Sequence, residues 1–214
     1  MKLYYSDVLS PRKACAIARY LESPVEFVYL DLTKGEQRSP EYLALNPSGK
    51  VPTLVDGKRV IWEADAVMCH LANQAGSDLW PRTTDLQVDV IRWLSWNQQH
   101  FTNHGGALYF EHIIKPRFGI GAADPVVVEE ALAGWRCFAT VLDGHLTGRR
   151  WLLGDSLSVA DFAVAVVLPY AHEARLPVDA FPEIARWHGR LNELQAWREP
   201  FPGDRRVSAV TTAG

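Results

Sequence analysis

The chain has 214 residues, 48% of them hydrophobic and 22% charged, with a formal net charge of −3 and a pI near 6.2. These are ordinary globular proportions, sufficient for a substantial core and far from the composition of a disordered chain. The acidic balance, with no Lys/Arg run, speaks against a nucleic-acid surface, and the longest apolar stretch, 162–168, falls far short of the ~20 residues that span a bilayer.

Residues 2–5 form a short β-prone run, entered directly from Met1 with no signal-peptide core, so a cytoplasmic protein is expected. Residues 11–21 are helix-forming, with apolar positions at Cys15, Ile17, Ala18 and Leu21. A strand is expected over 26–30, and a short helix over 40–45 that ends at Asn46-Pro47, where proline discourages continuation. Two further strands, 52–55 and 59–62, flank the hairpin dipeptide Asp56-Gly57, and a helix over 63–74 stops at Gly76. The order β-α-β-α-β-β-α describes a compact α/β unit.

Beyond Gly76 the pattern changes. Residues 77–83 contain Pro81, lack periodicity and are expected as a linker. Apolar residues at Ile91, Leu94, Phe101 and Leu108 place a helical region over 85–118, interrupted at Gly105-Gly106. A Gly- and Ala-rich loop follows at 119–124, and helices are expected over 125–146, 159–172 and 182–197. Strands followed by a run of helices fit an α+β layout or two domains.

The three cysteines, Cys15, Cys69 and Cys137, form no CxxC pair, and Cys15 and Cys137 are expected as small buried hydrophobes. His100, His104 and His112 lack cysteine or paired carboxylate neighbours, so no metal is expected.

Three motifs carry chemistry or fold. Asn46-Pro47-Ser48-Gly49-Lys50-Val51-Pro52-Thr53-Leu54 resembles the NPxGxVPxL segment of glutathione transferases, in which the proline after valine is cis. The resemblance implies that Val51, beside Pro52, offers a free backbone N–H and C=O to glutathione's cysteinyl backbone, as an added strand would. Glu63-Ala64-Asp65-Ala66-Val67 is similar to the family's Glu/Gln-Ser-x-Ala-Ile helix start. There the free amides and partial positive charge of a helix N-terminus receive the γ-glutamyl carboxylate, with the Glu63 side chain taking its ammonium group. Ala64 departs from the pattern: the backbone amide survives and a hydroxyl donor is lost. In the third motif, Ser158-Val159-Ala160-Asp161, Ser158 as N-cap and Asp161 at the third helical position form a capping box.

Taken over nearly the whole chain, the resemblance is to cytosolic glutathione transferases, bacterial-like and of serine-type or beta/theta-like class. It implies an α/β thioredoxin-like N-terminal domain at 1–76 that binds glutathione, and an all-α helical C-terminal domain at 84–214. It also implies a homodimer, glutathione as co-substrate and no metal, and transfer or addition of the glutathione thiolate to small electrophiles. Family members place the thiol-activating group between the first strand and first helix, where this chain offers Tyr5, Ser6 and Ser10. Ser10 is favoured because it precedes Pro11, which suits the first position of a helix, so its hydroxyl would sit at the N-cap beside free amides. By position, Gln37 and Arg38 match residues contacting the glycyl end of glutathione, and Lys50 is placed to pair with its carboxylate. Trp96, Phe101, His104 and Tyr109 are candidates for the electrophile pocket. A non-catalytic interaction module of the same fold, or a glutathione-dependent isomerase or peroxidase, are the alternatives. The isomerase is disfavoured by the missing Ser-Ser-x-Cys run.

Overall fold

A computed structural model describes residues 1–203; the C-terminal limit expected at 214 lies outside the described residues. Four strands, β1 (Lys2–Tyr5), β2 (Glu26–Tyr29), β3 (Thr53–Asp56) and β4 (Arg59–Trp62), form one sheet in the order β2-β1-β3-β4. β1 runs parallel to β2, which requires a crossover connection, and α1 (Leu9–Tyr20) supplies it. β3 is antiparallel to both β1 and β4. Asp56 pairs with Arg59, so the two-residue turn is Gly57-Lys58, one residue later than expected, with Gly57 at φ +57°. A short α2 (Pro40–Leu45) begins at Ser39, whose hydroxyl accepts from the Tyr42 N–H at 3.2 Å. α3 (Ala64–Gln74) returns along the sheet and packs on α1.

The remaining described residues are largely helical. A continuous helical rod runs through α4 (Thr84–Trp96), a π segment (Asn97–Phe101), α5 (Thr102–Tyr109), a second π segment (Phe110–Ile114) and α6 (Lys115–Phe118). The interruption expected at Gly105-Gly106 does not occur. A Cβ on Gly105 would lie 3.1 Å from Val167 and 3.2 Å from Trp135, so glycine there permits close helix approach rather than a break. α7 (Pro125–Leu146) has the expected bounds, with Ala131, Trp135, Ala139, Leu142 and Leu146 on its buried stripe. Cys137 falls off that stripe and is exposed, contrary to expectation, whereas Cys15 is buried.

Two expected helices divide. α8 ends at Val164 (Val159–Val164) and continues as a 3₁₀ segment, Ala165–Tyr170, because Pro169 lacks an N–H and its ring crowds the carbonyl four residues back. The last splits into α9 (Pro182–Leu191) and α10 (Gln195–Arg198). Among the described residues no helix is long and apolar enough to cross a membrane.

Asp161 organises the helical part. Fully buried, its carboxylate accepts from the backbone N–H of Leu152 and Ser158, each at 2.9 Å, from the Ser158 hydroxyl at 3.0 Å and from the Trp187 indole at 2.9 Å. The expected capping box is therefore one corner of a larger buried knot that also fixes α9. Next to it, the Val159 N–H donates to the Leu79 carbonyl at 3.0 Å and holds the segment between α3 and α4.

Two outcomes follow from this packing. Asp161→Ala leaves four donors without their acceptor, each costing about 1–3 kcal/mol when buried and unpaired, with water offsetting part. We expect a loss of at least ~3 kcal/mol in urea unfolding, and an intermediate loss for Asp161→Asn. The second outcome concerns His188, whose Nε2 accepts from the Trp197 indole at 3.3 Å and whose pKa is pushed down to about 4 by burial and then by Arg12. A depressed histidine binds its proton more readily when unfolded, so this contribution is complete above the ordinary 6.5 and is lost as pH falls towards 4. Equilibrium unfolding from pH 7 to 4.5 is expected to show about 2 kcal/mol of extra acid destabilisation, absent in His188→Gln, which retains an acceptor for Trp197.

Candidate functional site

The loop joining α2 to β3 is built by its own side chains. Asn46 is buried; its amide donates to the Lys50 carbonyl at 2.9 Å and to the Thr53 hydroxyl at 3.1 Å, and its oxygen accepts from the Ser48 N–H at 3.0 Å. The Tyr42 hydroxyl donates to the same Lys50 carbonyl at 2.6 Å and accepts from the Thr53 hydroxyl at 2.8 Å. Burial pushes the Tyr42 phenol up to about 12, so it remains a donor. Gly49 has φ +59°, and a Cβ there would stand 3.1 Å from the Gln37 carbonyl, so only glycine lets the two segments meet. Val51-Pro52 is cis, as expected. Among the described residues the Val51 N–H and C=O have no backbone partner, and the ladder resumes only at Thr53.

This loop forms one wall of a cleft of about 490 Å³, within the range of small-ligand sites. Ser10, Gln37, Lys50 and Val51 line it together, as does Arg38. The Gln37 side-chain oxygen is buried there without a partner among the described residues. Ser10 is exposed and is the second residue of α1, not its N-cap; the helix starts two residues early, at Leu9, with Val8 in the cap position. Pro11 permits this because the first turn has no intrahelical use for its N–H. Of the other two hydroxyls, Tyr5 is buried against Phe27, Tyr29 and Phe201, and Ser6 is buried, so neither lines the cleft.

Pro52, Glu63 and Ala64 do not line the cleft either, yet the sheet sets them beside it. Thr53 pairs with Trp62, so the next step of that register brings Pro52 opposite Glu63 at the end of the two strands. Glu63 is exposed at the N-cap of α3 with φ +71°, a left-handed conformation costly for a residue with a side chain. Ala64 opens the helix and is buried. Asp65 turns inward: it pairs with the buried Lys13 of α1 at 2.5 Å and accepts from Gln98 of the first π segment at 2.9 Å. Its partner Lys13 and the bridge from Gln98 carry no sequence signal, since neither lies on an apolar period.

The opposite wall is apolar. Phe110, Ile114 and Phe118 line it at four-residue spacing along the rod, joined by Ile120 and Tyr109. Their helical period was readable in the sequence; what was missing was the face on which they lie. Of the aromatic candidates only Tyr109 is on this wall. Its hydroxyl stays protonated because burial, with Tyr170 beside it, raises its pKa. Phe101 is fully buried, Trp96 stacks on it, and His104 stacks on Phe138 over Gly134, whose missing Cβ makes room for the imidazole. An ion pair links the rod to the segment just before α1: Arg117 of α6 donates to the Asp7 carboxylate at 2.8 Å and to its carbonyl at 3.0 Å. Burial pushes the Cys69 thiol up to about 12 and the Cys15 thiol higher still, so neither is a poised nucleophile.

Comparisons with known proteins agree over both parts of the chain. The glutathione S-transferase N-terminal domain family matches residues 3–73 and the corresponding C-terminal domain family residues 111–195. Glutathione S-transferase 3 of Zea mays is 35% identical over 169 residues, covering 76% of this chain and 75% of that protein. Glutathione S-transferase F10 of Arabidopsis thaliana is 32% identical over 193 residues, covering 86% and 89%. The solved structure of glutathione S-transferase-I bound with lactoylglutathione superposes with a TM-score of 0.84 at 26% identity, over 93% of this chain and 97% of that one.

The Lys13–Asp65 pair sets an expectation for stability. Removing one partner leaves a buried charge uncompensated, whereas replacing both with groups of similar shape removes the problem. Asp65→Ala is expected to cost about 3–5 kcal/mol in denaturant unfolding. In the double variant Lys13→Met/Asp65→Leu most of that loss is expected to be recovered.

Proposed function

Because the chain belongs to the glutathione S-transferase family, we propose that it binds glutathione against the Val51 backbone and adds its thiolate to a small electrophile held on the apolar wall. The observation that carries this reading is the meeting, in one cleft, of the Ser10 hydroxyl on the first turn of α1 with the unpaired backbone of Val51. Glutathione's cysteinyl residue would pair with Val51 like a short added strand. Its γ-glutamyl end would then reach the α3 start, where the Ala64 and Asp65 amides face the carboxylate and Glu63 takes the ammonium group. The glycyl carboxylate would meet Lys50, with Gln37 and Arg38 beside it; the unpartnered Gln37 oxygen is ready to accept a peptide N–H.

In this arrangement Ser10 donates its hydrogen to the glutathione sulfur and stabilises the thiolate. Lowering a thiol pKa from about 8.5 to about 7 raises the ionised share at neutral pH from roughly 3% to about half. That shift requires about 2 kcal/mol of preferential stabilisation, within reach of one charge-assisted hydrogen bond together with the α1 N-terminus. The thiolate, its proton released to solvent, then forms a C–S bond with the electrophilic carbon across the cleft. That carbon's bond to its leaving group breaks or, in an addition, its double bond or epoxide ring opens and takes up a proton from solvent. Phe110, Ile114, Phe118 and Ile120 favour an apolar electrophile and exclude water from the reacting pair.

We further assign the division between domains to 77–83, and infer a homodimer. Leu86, Val88 and Ile91 stand exposed on α4, and Trp62 on β4, a set of large apolar side chains suited to a second copy. The interaction-module alternative has one observation in its favour, Ala64, which removes a hydroxyl donor from the carboxylate's place.

Ser10→Ala is expected to lower turnover ten- to a hundredfold, about 1.4–2.8 kcal/mol of barrier, with glutathione affinity nearly unchanged in calorimetry. Tyr5→Phe should keep most of its activity. If Ser10→Ala is fully active, the assignment of the hydroxyl is wrong; if the unaltered protein binds glutathione more weakly than several millimolar, the module reading replaces the enzyme.

A further inference from the structure

Away from this cleft, a second concavity of about 480 Å³ lies where the C-terminal end of α7 and the loop after it meet α9. Four arginines line it, Arg149, Arg150, Arg186 and Arg190, against two acids, Asp155 and Glu183. A local charge of +2 (four arginines less two carboxylates) stands out in a chain whose formal net charge is −3.

The four guanidinium groups divide into two kinds. Arg186 and Arg190 are anchored. Arg186 pairs with Glu183 and donates to the carbonyls of Leu146 at 3.0 Å and Arg149 at 3.2 Å. Arg190 donates to the Arg150 carbonyl at 2.8 and 3.1 Å, and its guanidinium lies 5.8 Å from the Trp151 ring centre. These bonds hold the backbone of 149–150 in place and turn its carbonyl oxygens towards α9. The Arg149 and Arg150 side chains are different: they are exposed, and no side-chain hydrogen bond or ion pair engages them among the described residues. Arg190 is moreover held below the ordinary arginine range by burial and by the neighbouring Arg186 and Arg150 charges.

A fold that needed only to cap the end of α7 would use the two anchored arginines alone. Two further guanidinium groups, exposed and without a bonded partner among the described residues, belong to residues that line the same concavity, and their charge adds a repulsion that a bound oxyanion would relieve. Planar forks with several N–H donors match phosphate oxygens, and their bonds to an ionised acceptor are the strong class. We propose that this concavity is a binding site for a multiply charged phosphate compound, with Arg149 and Arg150 as its ligand-contacting residues and Arg186 and Arg190 as the frame that positions them. The glutathione reading is not needed for it, because none of these residues lines the first cleft.

The test uses the full chain and pyrophosphate as probe, titrated calorimetrically at constant ionic strength, beside the variant Arg149→Gln/Arg150→Gln. Both substituted side chains are exposed and make no structural bond, so the fold is expected to persist, and an unchanged circular dichroism spectrum checks this. Saturable binding with a Kd below about 1 mM is expected, weakened at least tenfold in the variant and unaffected by added glutathione. A second arm with vesicles of phosphatidylcholine, with and without phosphatidic acid, separates a soluble phosphate from a lipid headgroup as its source; saturation in either arm that the variant abolishes supports the site. Absence of saturation in both arms, equal affinity in the variant, or displacement by glutathione each overturns it.

Discussion

Residues 11–18 of α1 are buried without interruption, and two of them, Arg12 and Lys13, are cations. A helix buried all round has no polar face to offer water, and an unpaired interior charge costs several kcal/mol. Each cation therefore dictates what surrounds it. Lys13 requires Asp65, which ties α1 to α3, and Asp65 in turn holds Gln98 of the helical rod. Arg12 donates to the Trp197 carbonyl at 2.6 Å with its guanidinium 5.4 Å from the Tyr170 ring centre and 5.3 Å from that of Trp197, which ties α1 to α10. The two bonds point into different halves of the molecule, so α1 cannot shift without breaking one of them.

Ser10 stands within one turn of these anchors, and the backbone that carries its hydroxyl is thus held by them. The wall facing it is rigid for a separate reason. Asn46 and Tyr42 converge on the Lys50 carbonyl and Thr53 hydroxyl, so the backbone at Val51 is held from below while its own polar groups stay open to the cleft. Glu63 retains its left-handed backbone because strand pairing on one side and α3 on the other leave no room to relax. Backbone strain of this sort costs about 1–3 kcal/mol and persists where the surroundings over-determine the conformation. The same acidic motif thereby splits its roles: Glu63 is presented outwards, Asp65 is spent on the interior.

Much of this was legible in the residues. β-prone runs and turn chemistry located all four strands, the resemblance carried by the Asn-Pro-Ser-Gly-Lys-Val-Pro-Thr-Leu run implied the cis bond and the loop wall, and Ser158 with Asp161 located the start of α8. The misses share a cause. Periodicity reports one face of a helix at a time, so it saw Cys15, Ile17 and Ala18 on α1 but not the burial of Arg12 and Lys13, which needs a second domain. It read Gly105-Gly106 as a break, because the neighbours Val167 and Trp135 that make glycine necessary come from elsewhere in the chain. It put Cys137 inside from its apolar neighbours, though α7 buries only its 131-135-139-142-146 stripe. For the apolar wall the period was present at Phe110, Ile114 and Phe118, but which face looks into the cleft depends on how the rod crosses α1.

On the proposed reading, the division between rigid frame and plain wall has a chemical reason. Lowering the thiol pKa multiplies the thiolate by about sixteen at neutral pH, yet nucleophilicity falls with pKa along a slope of ~0.4–0.5 in thiol–disulfide exchange. With that slope the net gain is only about threefold. The larger advantage must come from holding sulfur and electrophile in reacting geometry, where effective molarities reach about 10⁵–10⁸ M. A hydroxyl at the start of a mobile helix would supply the first effect and forfeit the second. The buried charges of α1 serve the second: the Lys13–Asp65 pair adds little net stability as an ion pair, but together with the Arg12 bond to the Trp197 carbonyl it fixes the helix that carries Ser10. The apolar wall needs no such constraint, since dispersion and water exclusion are non-directional, and the Arg117–Asp7 ion pair links the rod that carries it to the residues just before α1.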